Sequence, residues 1–209
     1  GSARVGTVAC ASTGASVGGG WVAIYERRTN RQLIKINSDA LVGDTQEEDG
    51  KIKANVKELP YGEQSVIIYQ DYNFDGIKDL ALMDGQNSCY GGPSFQIYLA
   101  AAKAKNKFVL SQPFTKLAQD NCGMFDVDAK TQTISTMTKS GCCWHEFAEY
   151  KVVNNRPKAV KIVEEDARLF PFIQISKETW NGKRKSLTTV RTIDFDENEQ
   201  VEVLLSFKT

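Results

Sequence analysis

Four oxygen-bearing side chains recur at alternate positions in one short stretch of this 209-residue chain. Within Asp71-Tyr72-Asn73-Phe74-Asp75-Gly76-Ile77-Lys78-Asp79, the residues Asp71, Asn73, Asp75 and Asp79 stand at loop positions 1, 3, 5 and 9. Alternate spacing turns their oxygens inward, and Gly76 at position 6 permits the sharp turn around an ion. Ile77 at position 7 offers its backbone carbonyl, which leaves its side chain free to enter the core. Three carboxylates, one amide and one carbonyl nearly fill the shell of about six to eight hard oxygens that Ca2+ takes. The pattern predicts a calcium site with Asp71, Asn73, Asp75, Ile77 and Asp79 as ligands. An EF-hand would place Glu at position 12 between helices, whereas position 12 here is Leu82. The flanks, Val66 to Tyr69 and Leu80 to Met83, read as strands, so the loop belongs to a β-hairpin. Nothing beside it resembles a catalytic acid or base, and its expected role is structural.

Two more loops carry chemistry. Asp84 to Phe95 is rich in turn residues, with Tyr90 at its crest followed by Gly91, Gly92 and Pro93. An amphipathic ring there can fill a partner's cleft and donate a hydrogen bond, so Tyr90, Gly91, Gly92 and Pro93 are the candidate partner-binding residues. The stretch Lys139-Ser140-Gly141-Cys142-Cys143-Trp144-His145 places thiols beside the only histidine. A Cys-His dyad needs a stabilised thiolate and a third orienting group, neither of which is visible. A cross-linked turn with Trp144 in or near the core is the better expectation.

The elements that must position these loops are short alternating or apolar runs, broken by turn residues every few positions. They include Trp21 to Tyr25 and Gln32 to Ile36 around a Thr29-Asn30 turn, then Ser65 to Gln70, Leu80 to Met83, Phe95 to Ala100 and Lys107 to Ser111. Thr131 to Thr138, Glu146 to Val153, Ala159 to Glu164, Phe172 to Lys177, Ser186 to Ile193 and Val201 to Phe207 continue the theme. Helix is expected only at Pro113 to Gln119, with Phe114, Leu117 and Ala118 on one face, and Ala100 to Lys105 reads as a hairpin tip. The pattern is all-β and antiparallel, too many strands for one small sandwich, and suits a small β-propeller or packed sheets. Residues 1–20, where Ser, Gly and Ala are frequent, read as a flexible lead-in, and 21–209 as a single all-β domain. Gly1-Ser2 looks like a vector scar, so the N-terminus carries no information about export.

Hydrophobic residues make up 41% of the chain and charged ones 25%, enough for a sizeable core. Lys plus Arg and Asp plus Glu both number 26, which removes a global charge argument for nucleic acid or anionic membrane. Lys183-Arg184-Lys185 is read as a solvated turn. No apolar run reaches the roughly 20 residues of a membrane span. Cys10, Cys89, Cys122, Cys142 and Cys143 lack paired zinc spacings, and an exported chain would form two bridges with one thiol left over. Cys142 and Cys143 can bond to each other or reach separate partners; sequence leaves both open. No Ser-His-Asp order, H-E-x-x-H motif or phosphate-cradling glycine loop is present, and no enzymatic activity is expected.

Three strings in this order, Gln70 to Gly76, Tyr90 to Leu99 and Ser140 to His145, resemble the immunity lipoproteins of bacteria-killing type IV secretion systems. The resemblance spans roughly residues 20–165. It implies a propeller-like fold with a calcium loop at Asp71, Asn73, Asp75 and Asp79, and a periplasmic location that leaves room for an outer-membrane lipid anchor ahead of Gly1. It also implies a partner, a lysozyme-like peptidoglycan hydrolase that the protein inhibits. A calcium-stabilised adhesion or glycan-binding module is the other expectation, which exposed aromatics such as Trp21 and Trp180 would support if they lay coplanar on one face.

Overall fold

The computed structural model describes residues 2–7, 16–43, 65–101, 108–169, 172–180, 185–194 and 200–201. The chain forms two compact units, Gly1–Gln119 and Asp120–Thr209, and each is described by itself.

In the first unit β1 (Ser2–Thr7), β2 (Ser16–Tyr25) and β3 (Gln32–Gly43) make a three-stranded antiparallel sheet. Part of the expected lead-in is thus strand: Val5 pairs with Val22 and Thr7 with Gly20. The β2–β3 turn falls where Thr29-Asn30 predicts it. Asn30 adopts a left-handed φ of 56°, and the Glu26 N–H donates to the Arg31 carbonyl at 2.9 Å. β4 (Ile67–Gln70), β5 (Asp79–Met83), β6 (Phe95–Ala100) and β7 (Phe108–Leu110) form a four-stranded antiparallel sheet in sequence order. β6 and β7 pair as a hairpin, as the Ala100 to Lys105 reading requires, although residues 102–107 of its tip lie outside those described.

Every residue of β5 is buried, which explains why its sequence is a continuous apolar run rather than an alternation. Leu80 and Leu82 join Ile67 and Tyr98, and these pack with Val22, Ile24, Ile36 and Leu41 from β2 and β3. Burying a side chain of this size is worth about 1.5–3 kcal/mol, so this cluster fixes both ends of the loops that β5 joins. α1 (Gln112–Gln119) packs against β6 and buries Phe114, Leu117 and Ala118, the face its spacing predicts, together with Thr115. Thr115 Oγ1 accepts the Ile97 N–H at 2.9 Å.

The second unit is a seven-stranded antiparallel meander in strict sequence order: β8 (Asp126–Asp128), β9 (Thr133–Ser140), β10 (Trp144–Val153), β11 (Arg156–Leu169), β12 (Phe172–Trp180), β13 (Lys185–Asp194) and β14 (Gln200–Val201). Asn154 and Asn155, with φ of 52° and 57°, form the two-residue β10–β11 turn whose twist matches the strands it joins. Phe125, Ile134 and Ala148 are buried, while Met137, Phe147 and Phe172 keep more than a third of their surface exposed.

The expectation of an antiparallel, mostly β chain holds. Among the described residues the strands form three sheets, of three, four and seven strands, and none of these closes on itself. Residues 202–207, expected to extend the last strand, lie outside those described.

Candidate functional site

The loop 71–79 joins β4 to β5 and is folded by its own side chains. Asp71 Oδ1 accepts the Asp75 N–H at 3.2 Å and Oδ2 the Gly76 N–H at 2.8 Å. Asn73 Oδ1 accepts the Asp75 N–H at 3.2 Å, and Asp75 Oδ1 the Ile77 N–H at 2.8 Å. Gly76 has φ of 84°, the left-handed turn for which a glycine is needed. At the far end Asp79 is completely buried, its two oxygens accepting the N–H groups of Tyr72 and Ala100, each at 2.8 Å. Asp79 thus ties the entry of the loop to the end of β6. One part of the sequence reading is corrected: Ile77 does not enter the core but is 40% exposed. The inward anchor is its neighbour Tyr72, at 0% exposure, because the turn at Phe74 (φ 62°) and Gly76 swings Ile77 to the outside.

Asp71, Asp75 and Asp79 bring three formal negative charges into nine residues, and none is ion-paired with a lysine, arginine or histidine among the described residues. Lys78, the cation in the loop, lies over the Tyr69 ring at 5.7 Å. Burial raises the Asp79 carboxyl to about 6, and the neighbouring charges of Asp75 and Asp71 add to this, while the two backbone N–H groups oppose it. The donor set is all hard oxygen with uncompensated negative charge, which suits a divalent cation. Among the described residues, no three carboxylate, thiol or imidazole groups stand together at chelating distance; the loop's oxygens are turned onto its own amides.

The second loop leaves β5 at Asp84 and returns at Ser94. Its neck is closed by backbone bonds in both directions, Asp84 N–H to Ser94 O at 2.8 Å and Ser94 N–H to Gly85 O at 3.1 Å. The buried Ser94 hydroxyl donates to Asp84 O at 2.6 Å and accepts the Asn87 N–H at 3.1 Å. At the crest, Cys89–Gly91 make a single 3-10 turn closed by the Gly92 N–H on Cys89 O at 3.0 Å. Tyr90 sits there with φ of 55° and ψ of 30°, and 67% of its surface is exposed. A left-handed non-glycine residue costs about 1–2 kcal/mol, and such conformations gather at ligand clamps. Gly92 is held close: a Cβ there would lie 2.9 Å from Ser88 Oγ and 3.1 Å from Cys89 O.

Cys142 and Cys143 bond to each other at the β9–β10 turn, where Gly141 has φ of 65°; Cys89 and Cys122 are also disulfide-bonded. Cys10 lies outside the described residues. The oxidised pair removes the Cys-His dyad from consideration. Trp144 is half-buried rather than in the core, its indole N–H donating to Glu164 Oε1 at 2.8 Å, and His145 stacks on Phe147. Trp21 and Trp180 are half-buried too, with Lys35 over the Trp21 ring at 4.7 Å. Residues 183–184 lie outside those described.

Sequence reasoning missed the role of Asp84, whose carboxylate accepts hydrogen bonds from Ser38 and Gln96. Asp84-Gly85 is legible as a turn, but no local signal joins it to a serine on another sheet.

No family model and no curated protein matches the chain. Among solved structures, a Xanthomonas type IV secretion system related protein is similar, with a TM-score of 0.62 and 22% identity over 97% of this chain and 88% of that one. At that identity the likeness is one of fold.

Proposed function

We propose that this protein is a calcium-stabilised periplasmic inhibitor, an immunity protein that presents Tyr90 to the cleft of a lysozyme-like peptidoglycan hydrolase. The observation that carries the reading is Tyr90 itself: a strained tyrosine, 67% exposed, on a loop closed at its neck and crest by hydrogen bonds. A muramidase cleft is long and contains a catalytic carboxylic acid. The ring would occupy a sugar subsite while its hydroxyl donates to a carboxylate there, and the Gly91-Gly92-Pro93 segment, with little side-chain bulk, would let the loop enter. Calcium, when bound, would neutralise Asp71, Asp75 and Asp79 with help from Asn73 and the Ile77 carbonyl. Those residues hold the start of β5, the strand that leads into the Tyr90 loop. The protein acts by binding and carries out no reaction.

Two facts support the setting. Four cysteines are disulfide-bonded, as in an oxidising compartment, and the similar Xanthomonas protein is related to a type IV secretion system. No described helix is long and apolar enough to cross a membrane.

The test is cell-wall lysis by lysozymes, and by any hydrolase encoded beside the gene, in the presence of increasing inhibitor. Stoichiometric inhibition is expected. Tyr90→Ala should weaken it by about 30-fold or more, since central interface tyrosines contribute about 2 kcal/mol or above. Unimpaired lysis together with binding of the protein to glycan would replace this reading with that of an envelope glycan-binding module.

A further inference from the structure

We propose that Asp84 is the positioning residue of the Tyr90 loop, a carboxylate that clamps the neck of the loop to β3 and β6 and so fixes the tyrosine before a partner arrives. The inference rests on the proposed function only for its consequence in binding; the clamp has a readout of its own.

Asp84 is the first residue after β5, and three chain segments converge on it. One carboxylate oxygen accepts the Ser38 hydroxyl of β3 and the other accepts the Gln96 side-chain amide of β6. Its backbone makes an isolated antiparallel bridge with Leu41 of β3, and its N–H and carbonyl both engage Ser94 across the neck. The donors are themselves held. Ser38, buried, accepts the Ala40 N–H at 3.1 Å, and Gln96 Oε1 accepts the Tyr98 hydroxyl at 2.5 Å. Beside the clamp the loop runs hard against β3: a Cβ on Gly85 would lie 2.9 Å from Asn87 Nδ2 and 3.2 Å from Ala40 Cβ, and Gly85 has φ of 82°.

A sheet strand needs no such arrangement, because β5 is already paired on both sides by β4 and β6. The carboxylate acts instead on the loop into which β5 leads. Hydrogen bonds to a charged acceptor are the stronger kind, and a loop fixed in its bound shape loses less entropy when it docks. Without the clamp the neck keeps its two backbone bonds but can swing as a flap, and the crest bearing Tyr90 swings with it.

The experiment is amide hydrogen exchange on the full chain, comparing Asp84→Ala, Asp84→Asn and Ser38→Ala with the parent. The reporting amides are Asn87, Ser88, Gly92 and Ser94, all hydrogen-bonded within the loop; the control amides are Met83 and Ile97. Asp84→Ala should speed exchange at the loop amides by about tenfold while the controls stay within about twofold, and Asp84→Asn should recover part of the protection. Ser38→Ala deletes a single hydroxyl and serves if the Asp84 variants fold poorly; it should move the same amides in the same direction. Against a hydrolase that the parent inhibits, each variant should raise the dissociation rate about tenfold while the melting temperature falls by no more than a few degrees. Loop amides as protected as in the parent, or loop and control amides loosening together, would overturn the clamp. Inhibition that survives Tyr90→Ala would instead remove the proposed function and leave the exchange result standing.

Discussion

Removing the charge of Asp79 should abolish both the calcium response and a large part of the pH response of the first unit. Asp79 is fully buried, and burial first, then Asp75 and Asp71, raises its carboxyl from 3.8 to about 6. A folded-state pKa above the unfolded one means that the folded form holds its proton more tightly. The associated stability is therefore present in full below about pH 4 and is lost as pH rises through about 6. Two pKa units correspond to about 3 kcal/mol, or about 10 °C in melting temperature for a unit of this size. In chelator, the parent protein should lose about 2 kcal/mol of this between pH 4.5 and pH 7, and so melt about 6 °C lower at pH 7 on account of this group. The proposed calcium ion would bind the ionised carboxylate, so at a hundredfold excess over Kd it should restore about 2.7 kcal/mol at pH 7. Asp79→Asn cannot ionise. One of its amide N–H groups must face the N–H of Tyr72 or Ala100, which costs about 1–3 kcal/mol at every pH. Its melting curve should be low, nearly flat between pH 4.5 and 7, and indifferent to calcium. Thermal melts followed by circular dichroism, with and without chelator, measure all four quantities. Equal pH slopes in parent and variant, or an equal rise of both with calcium, would refute the reasoning.

Gly92→Ala should distort the crest, because the new methyl meets Ser88 Oγ and the Cys89 carbonyl; inhibition should fall by about tenfold with the melting temperature within a few degrees, and Ser88→Ala in the same chain should recover part of it by clearing one of the two contacts. Thr115→Val leaves the buried Ile97 N–H without its acceptor and should cost about 1–3 kcal/mol in chemical denaturation, with no effect on calcium binding. Replacing both Cys142 and Cys143 by Ser should cost under about 1 kcal/mol, since a bridge between neighbours closes almost no loop in the unfolded chain, and hydrolase inhibition should be unchanged.

The fold was legible wherever the information was local. Asn30 and Gly76 adopt the left-handed conformations that their turns demand, and the Phe114, Leu117 and Ala118 face of α1 is buried as its spacing predicts. The oxygen-bearing loop residues were legible for the same reason, since alternate spacing is a property of nine consecutive residues. Ile77 stays outside, and Tyr72 is the buried residue, because the turn at Phe74 reverses which side of the loop faces the core, and no residue type announces a left-handed phenylalanine. Asp84 escaped because its partner Ser38 lies 46 residues away, on a strand of another sheet.

The most direct measurement is a binding titration between this protein and a lysozyme-like hydrolase, its proposed target, repeated with a soluble oligosaccharide that fills a muramidase cleft. Entry of Tyr90 into that cleft predicts a one-to-one complex, competition by the sugar, and loss of most of the affinity in Tyr90→Ala. A complex indifferent to both the sugar and the substitution would contradict it.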